Sequence, residues 1–110
     1  MTVCTIMVRF ELEGFHRWPG ATPNRVYLAS RHRHKFHWRV ELTVGHLDRE
    51  TEFHDLLEWC RENAAQGELG GMSCEQMARE LLNDLTEKYP GRRAAVEVWE
   101  DDEVGARVSR

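Results

Sequence analysis

The 110 residues carry 15 Lys and Arg against 19 Asp and Glu, a net charge of −4, which argues against a general nucleic-acid binder. The length suits one domain, 1–110, with a real but not generous core. Cys4, Cys60 and Cys74 are widely spaced and odd in number; with no leader pattern and no apolar run near the roughly 18 residues of a membrane span, a reduced, cytoplasmic protein is expected.

In chain order, the first expected strand runs from about Val3 to His16. Its even positions are Cys4, Ile6, Val8, Phe10, Leu12, Gly14 and His16, and side chains alternate across a strand, so these share one face. The stretch from Arg17 to Arg31 holds Trp18-Pro19-Gly20 and Thr22-Pro23-Asn24, strong turn chemistry in a loop long enough to suggest function. A second strand is expected from His32 to Val44. Its even positions are His32, His34, Phe36, Trp38, Val40, Leu42 and Val44. Its odd positions, Arg33, Lys35, His37, Arg39, Glu41 and Thr43, suit solvent. If the two strands form an antiparallel hairpin, His16, His32 and His34 converge at one end of the apolar face.

One histidine on an apolar face is usually a packed, hydrogen-bonded residue. Three that converge match a catalytic zinc arrangement with an open fourth position. His37, His46 and His54 lack that convergence and read as surface residues. Arg31, Arg33, Lys35 and Arg39 form a local basic patch fit to receive an anionic small molecule.

Beyond Gly45 a helix is expected from about Asp48 to Asn63, with Phe53, Leu56, Leu57, Cys60 and Ala64 as its apolar stripe. The glycine-rich stretch from Gln66 to Met72 reads as a loop. Ser73 with Gln76 forms a capping-box pattern opening a second helix, whose buried stripe is Met77, Ala78, Leu81, Leu82 and Leu85. Tyr89-Pro90-Gly91 ends it. Two short strands follow, about Ala94 to Trp99 and Val104 to Val108. Glu100 shares the parity of Val96 and Val98, which inclines it to the core side; beside Asp101, Asp102 and Glu103 it also reads as a solvated turn acid. The order strand-strand-helix-helix-strand-strand implies an α+β domain, a four-stranded antiparallel sheet with two helices on one face.

Four segments resemble the 6-pyruvoyl-tetrahydropterin synthase and 6-carboxy-tetrahydropterin synthase family. Phe15-His16-Arg17-Trp18-Pro19-Gly20 is similar to its first zinc-histidine segment. His32-Arg33-His34-Lys35-Phe36 is similar to its His-Gly-His motif. Ser73-Cys74-Glu75 resembles its Pro-Thr-x-Glu helix start, and Val96-Glu97-Val98-Trp99-Glu100 resembles the segment ending in a pterin-anchoring glutamate. The resemblance implies the tunnelling fold, zinc on His16, His32 and His34, and Glu100 gripping a pterin-like or guanine-like ring edge. It also implies a homo-oligomeric ring and lyase chemistry on a dihydroneopterin triphosphate-like substrate, with Arg17, Arg31 and Lys35 available to its phosphates. The family's cysteine base has no counterpart: the stretch before the zinc pair reads Val26-Tyr27-Leu28-Ala29-Ser30-Arg31, with Leu28 four residues ahead. Its Leu-Asp-His segment is also missing from Ala65 to Gly71. Weak or altered turnover is therefore expected, with an inactive pterin-, purine- or nucleotide-binding protein as the alternative.

Overall fold

The computed structural model describes residues 2–110. Two 13-residue strands, β1 (Cys4–His16) and β2 (His32–Val44), pair antiparallel in unbroken register from Cys4 opposite Val44 to His16 opposite His32. A one-residue slip would turn every apolar side chain of either strand outward, which is why a one-sided core specifies this register so strongly. Helix α1 (Phe53–Asn63), strand β3 (Gly67–Gly70), helix α2 (Cys74–Lys88) and strands β4 (Ala94–Glu100) and β5 (Val104–Ser109) follow.

The α+β class holds, but the sheet has five strands, not four, in the order β3-β1-β2-β4-β5. β3 pairs parallel to the end of β1, from Gly14 to His16, and makes the sheet mixed. A four-residue segment with a glycine at each end carries no strand periodicity of its own. It becomes a strand because the edge of β1 offers unpaired backbone groups, and Gly67 and Gly70 supply left-handed turns at its ends (φ 74° and 61°). The connection between β1 and β2 also holds a short 3-10 segment, Pro23–Ala29, within what reads in sequence as loop.

Helix α1 begins at Phe53, five residues later than the Asp48 expected. Residues 45–52 instead form a loop held by Glu50, which accepts the Gly45 N–H at 2.8 Å and pairs with Arg92. Glu52 then caps the helix by accepting the His54 N–H. Phe53, expected in the buried stripe, is half exposed, while Leu56 and Cys60 are fully buried. Helix α2 carries the expected capping box between Ser73 and Gln76.

The core lies between the even face of the sheet and both helices. Phe10, Phe36, Trp38, Val40, Leu42, Val96 and Val98 meet Leu56, Met77, Leu81 and Leu85. Gly14, opposite His34 in the β1–β2 ladder, is needed for close approach: a Cβ there would stand 2.7 Å from Leu69 and 2.9 Å from the Phe36 ring. No helix is long and apolar enough to cross a membrane among the described residues.

Candidate metal centre

The hairpin end brings the three histidines together. His16 sits opposite His32 and Gly14 opposite His34, so the three imidazoles share one face within a single turn of the ladder. Their ring centroids are 4.6, 4.9 and 5.3 Å apart, and one nitrogen from each lies within 4.8 Å of the others. Phe36, almost fully buried, forms an apolar floor against His16 and His34.

Every ring is oriented through its other nitrogen. Nδ1 of His16 lies 2.9 Å from the Met72 carbonyl oxygen, Nδ1 of His32 lies 2.8 Å from the Ser30 carbonyl oxygen, and Nδ1 of His34 lies 2.7 Å from Asp101 Oδ2. Carbonyl and carboxylate oxygens only accept, so each Nδ1 carries the proton and donates it. In its neutral form each imidazole is thus left with an unprotonated Nε2, and Nε2 of both His16 and His34 is turned toward Glu100. This is how outer-shell partners orient metal-ligating histidines, and such a cluster can hold a metal ion.

Three separate segments supply these partners. Ser30 lies two residues before the start of β2. Met72 belongs to the turn between β3 and α2, closed by its own N–H on the Leu69 carbonyl. Asp101 begins the β4–β5 turn with a left-handed backbone (φ 51°), and its Oδ1 also accepts the Lys35 N–H at 3.2 Å. Hydrogen bonding to His34 holds its carboxyl below the ordinary aspartate range.

Glu100 lies on the core side of the strand end, half buried, and not out among the turn acids. Its Oε1 is 3.3 Å from His16 Nε2 and its Oε2 is 3.4 Å from His34 Nε2. The Cys74 thiol donates to Oε1 at 3.7 Å. The His16 contact holds the Glu100 carboxyl below its usual range, and Glu100 in turn raises His16. Burial, and Glu100 after it, push the Cys74 thiol up to about 12, so it is a neutral donor.

A cavity of about 500 Å3 opens beside the cluster, lined by His16, His32, Cys74 and Glu100 on its polar side and by Trp18, Leu28, Met72 and Val104 on its apolar side. Arg17 also lines it. Arg31 is instead paired with Glu68 and stacked over Phe15 at 3.8 Å, and Lys35 reaches Glu11 at 3.7 Å on the opposite sheet face. Leu28 thus faces the cavity with a side chain that takes no proton.

Strand parity marks the three imidazoles and leaves Glu100 with two readings, whereas Asp101, the Met72 and Ser30 carbonyls and the placement of Cys74 are not legible in it. The β2–β4 register, which pairs Phe36 with Glu100 and so sets Asp101 beside His34, was the one signal available for Asp101. No family model and no curated protein matches the chain.

Proposed function

We propose that this protein is a zinc-dependent, pterin-binding protein of the pterin-synthase type, with His16, His32 and His34 as the metal ligands. The observation that carries the reading is the hydrogen bond at each of the three Nδ1 atoms, which leaves Nε2 of each neutral ring free for a metal, together with the approach of one nitrogen from each ring to within 4.8 Å of the others. Three neutral imidazoles and a carboxylate are a donor set that suits zinc. Zinc at such a centre acts as a Lewis acid that acidifies a substrate hydroxyl or polarises a carbonyl.

The chain's own groups do the rest. Trp18, Leu28, Met72 and Val104 supply apolar walls for a flat ring, and Arg17 is the cation positioned to meet a phosphate chain. Glu100 is the group the family resemblance assigns to the ring's N–H edge. Removing a proton from the substrate needs a positioned base, which typically contributes about 10²–10⁴-fold in rate. Leu28 cannot supply one, and Cys74 is held neutral. That observation favours a second reading: a protein that binds the ring without lyase turnover.

One zinc per chain is expected by metal analysis of the native protein, lost in His16→Ala, His32→Ala and His34→Ala. Dihydroneopterin should bind the zinc-loaded protein, with turnover of its triphosphate slow or absent. Full zinc retention in both His32→Ala and His34→Ala would overturn the reading. Rapid turnover would overturn the inactive form alone.

A further inference from the structure

Glu100 stands between the metal point and the cavity: it lines the cavity wall, and both its oxygens are turned toward the histidines. Both its oxygens approach the Nε2 atoms of His16 and His34, which bear lone pairs when those rings are neutral, since Nδ1 of each ring lies against Met72 or Asp101. His34 Nε2 is buried and has no hydrogen-bond partner. Lone pairs on two nitrogens and two carboxylate oxygens repel one another unless something positive lies among them. A proton on one imidazole relieves one contact; a metal ion relieves all of them.

The spacing favours the ion. Tetrahedral bonds of about 2.0–2.1 Å place neighbouring donor atoms about 3.3–3.4 Å apart. The Glu100 oxygens stand 3.3 and 3.4 Å from the two Nε2 atoms. The Glu100 backbone is held by the β2–β4 ladder opposite the buried Phe36. The Cys74 thiol donates to Oε1 from the start of α2, which steadies the carboxylate without competing for the metal as a thiolate would.

We propose that Glu100 is the fourth protein ligand of this centre in the ligand-free protein, so that the resting metal is closed and an incoming ligand must displace the carboxylate. The inference rests on the metal reading above and deepens it. Three histidines alone leave an open position for water or substrate. With Glu100 bound, that position exists only after the side chain swings toward the adjoining cavity. Glu100 is then free to accept a ring N–H only once it has left the metal, so its two roles alternate.

Cobalt(II) loaded into the full-length protein tests this, since its visible spectrum reports coordination number and ligand exchange. The wild-type spectrum should be that of a four-coordinate ion and should not respond to millimolar azide. Glu100→Gln should bind cobalt about tenfold or more weakly, since even outer-shell losses cost 10–100-fold, and its spectrum should shift on adding azide. A wild-type spectrum that azide perturbs would overturn the proposal without any variant, which decides the matter even if Glu100→Gln folds poorly. An unchanged spectrum and affinity in a folded Glu100→Gln would overturn it too, and the three-histidine centre would stand. Failure of the wild type to bind cobalt or zinc would remove both.

Discussion

Asp101 has two acceptor duties that only a carboxylate can fill together. One oxygen takes the His34 Nδ1–H and the other the Lys35 N–H. Asparagine tolerates the same left-handed backbone, yet it has a single carbonyl oxygen, so its NH2 must face one of two donors. Asp101→Asn either loses the Lys35 bond or drives His34 to the tautomer protonated on Nε2, which removes a metal ligand. Zinc affinity, measured by competition with a chelator, should fall about 10–100-fold while the far-UV spectrum stays unchanged. Unaltered affinity would show that Asp101 does not set the His34 tautomer.

His16 carries the pH dependence of the centre. It meets Glu100 from β4, His32 and His34 from β2, and the Met72 carbonyl from the turn before α2. Glu100 raises its pKa above 6.5 in the folded, metal-free protein. The stabilisation from that raised pKa is fully present below 6.5 and is lost as pH rises through the higher folded value. The lowered pKa of Glu100 works oppositely: its share is present above about 4.5 and lost as pH falls through the depressed value. The metal-free protein should thus gain from the pair chiefly between these limits. Metal and proton compete for the same Nε2, so zinc affinity should fall as pH drops from 8 to 6. The zinc-induced rise in melting temperature should shrink over that range; a rise independent of pH would count against His16 as a ligand.

At the level of elements, the β1–β3 contact decides how firmly the histidines stand. β3 covers only the last residues of β1, and its Leu69 side chain packs beside Gly14, below the His34 position. Arg17 donates its N–H to the Gly70 carbonyl at 2.9 Å, and Arg31 pairs with Glu68, so both ends of the β1–β2 connection are tied to β3. Gly14→Ala would drive a methyl into Leu69 and into the Phe36 ring that underlies two imidazoles. Overpacking of this kind costs about 1–3 kcal/mol, so chemical denaturation should show a loss in that range, with weaker zinc binding beside it. A stability within error of the wild type would mean that β3 can simply move aside. Sequence pattern had no access to this coupling, because Gly67-Glu68-Leu69-Gly70 has neither length nor alternation.

Across the whole molecule, the sheet ends in two unlike open edges. Among the described residues, β1 is unpaired on its outer side from Cys4 to about Glu13, and β5 has no neighbour beyond it. Val3, Met7 and Val104 near these edges are 61–71% exposed. Exposed edges of this length invite pairing with another chain, and two different edges joined head to tail form a ring when the rotation closes. Light scattering should therefore give a multiple of the 12.9 kDa chain mass that persists on dilution through the micromolar range. A monomer throughout would overturn this expectation.

What was legible in the sequence was whatever depends on local period and on chemistry carried by single residues. Alternation over Cys4–His16 and His32–Val44 marked both long strands, and the shared even parity of His16, His32 and His34 marked their convergence. The Ser73–Gln76 pattern located the start of α2 because capping is satisfied within four residues. Other features needed the assembled chain. β3 exists only against β1, and the first turn of α1 was displaced by the long-range Glu50–Arg92 pair. Glu100 had two readings in sequence and one in space, because the β2–β4 ladder turns it toward His16 and His34. The hydrogen bonds that leave three Nε2 atoms free come from Ser30, Met72 and Asp101, and two of these are backbone carbonyls. A carbonyl is the same in every residue, so no side-chain pattern records where it points; only the tertiary fold aims it.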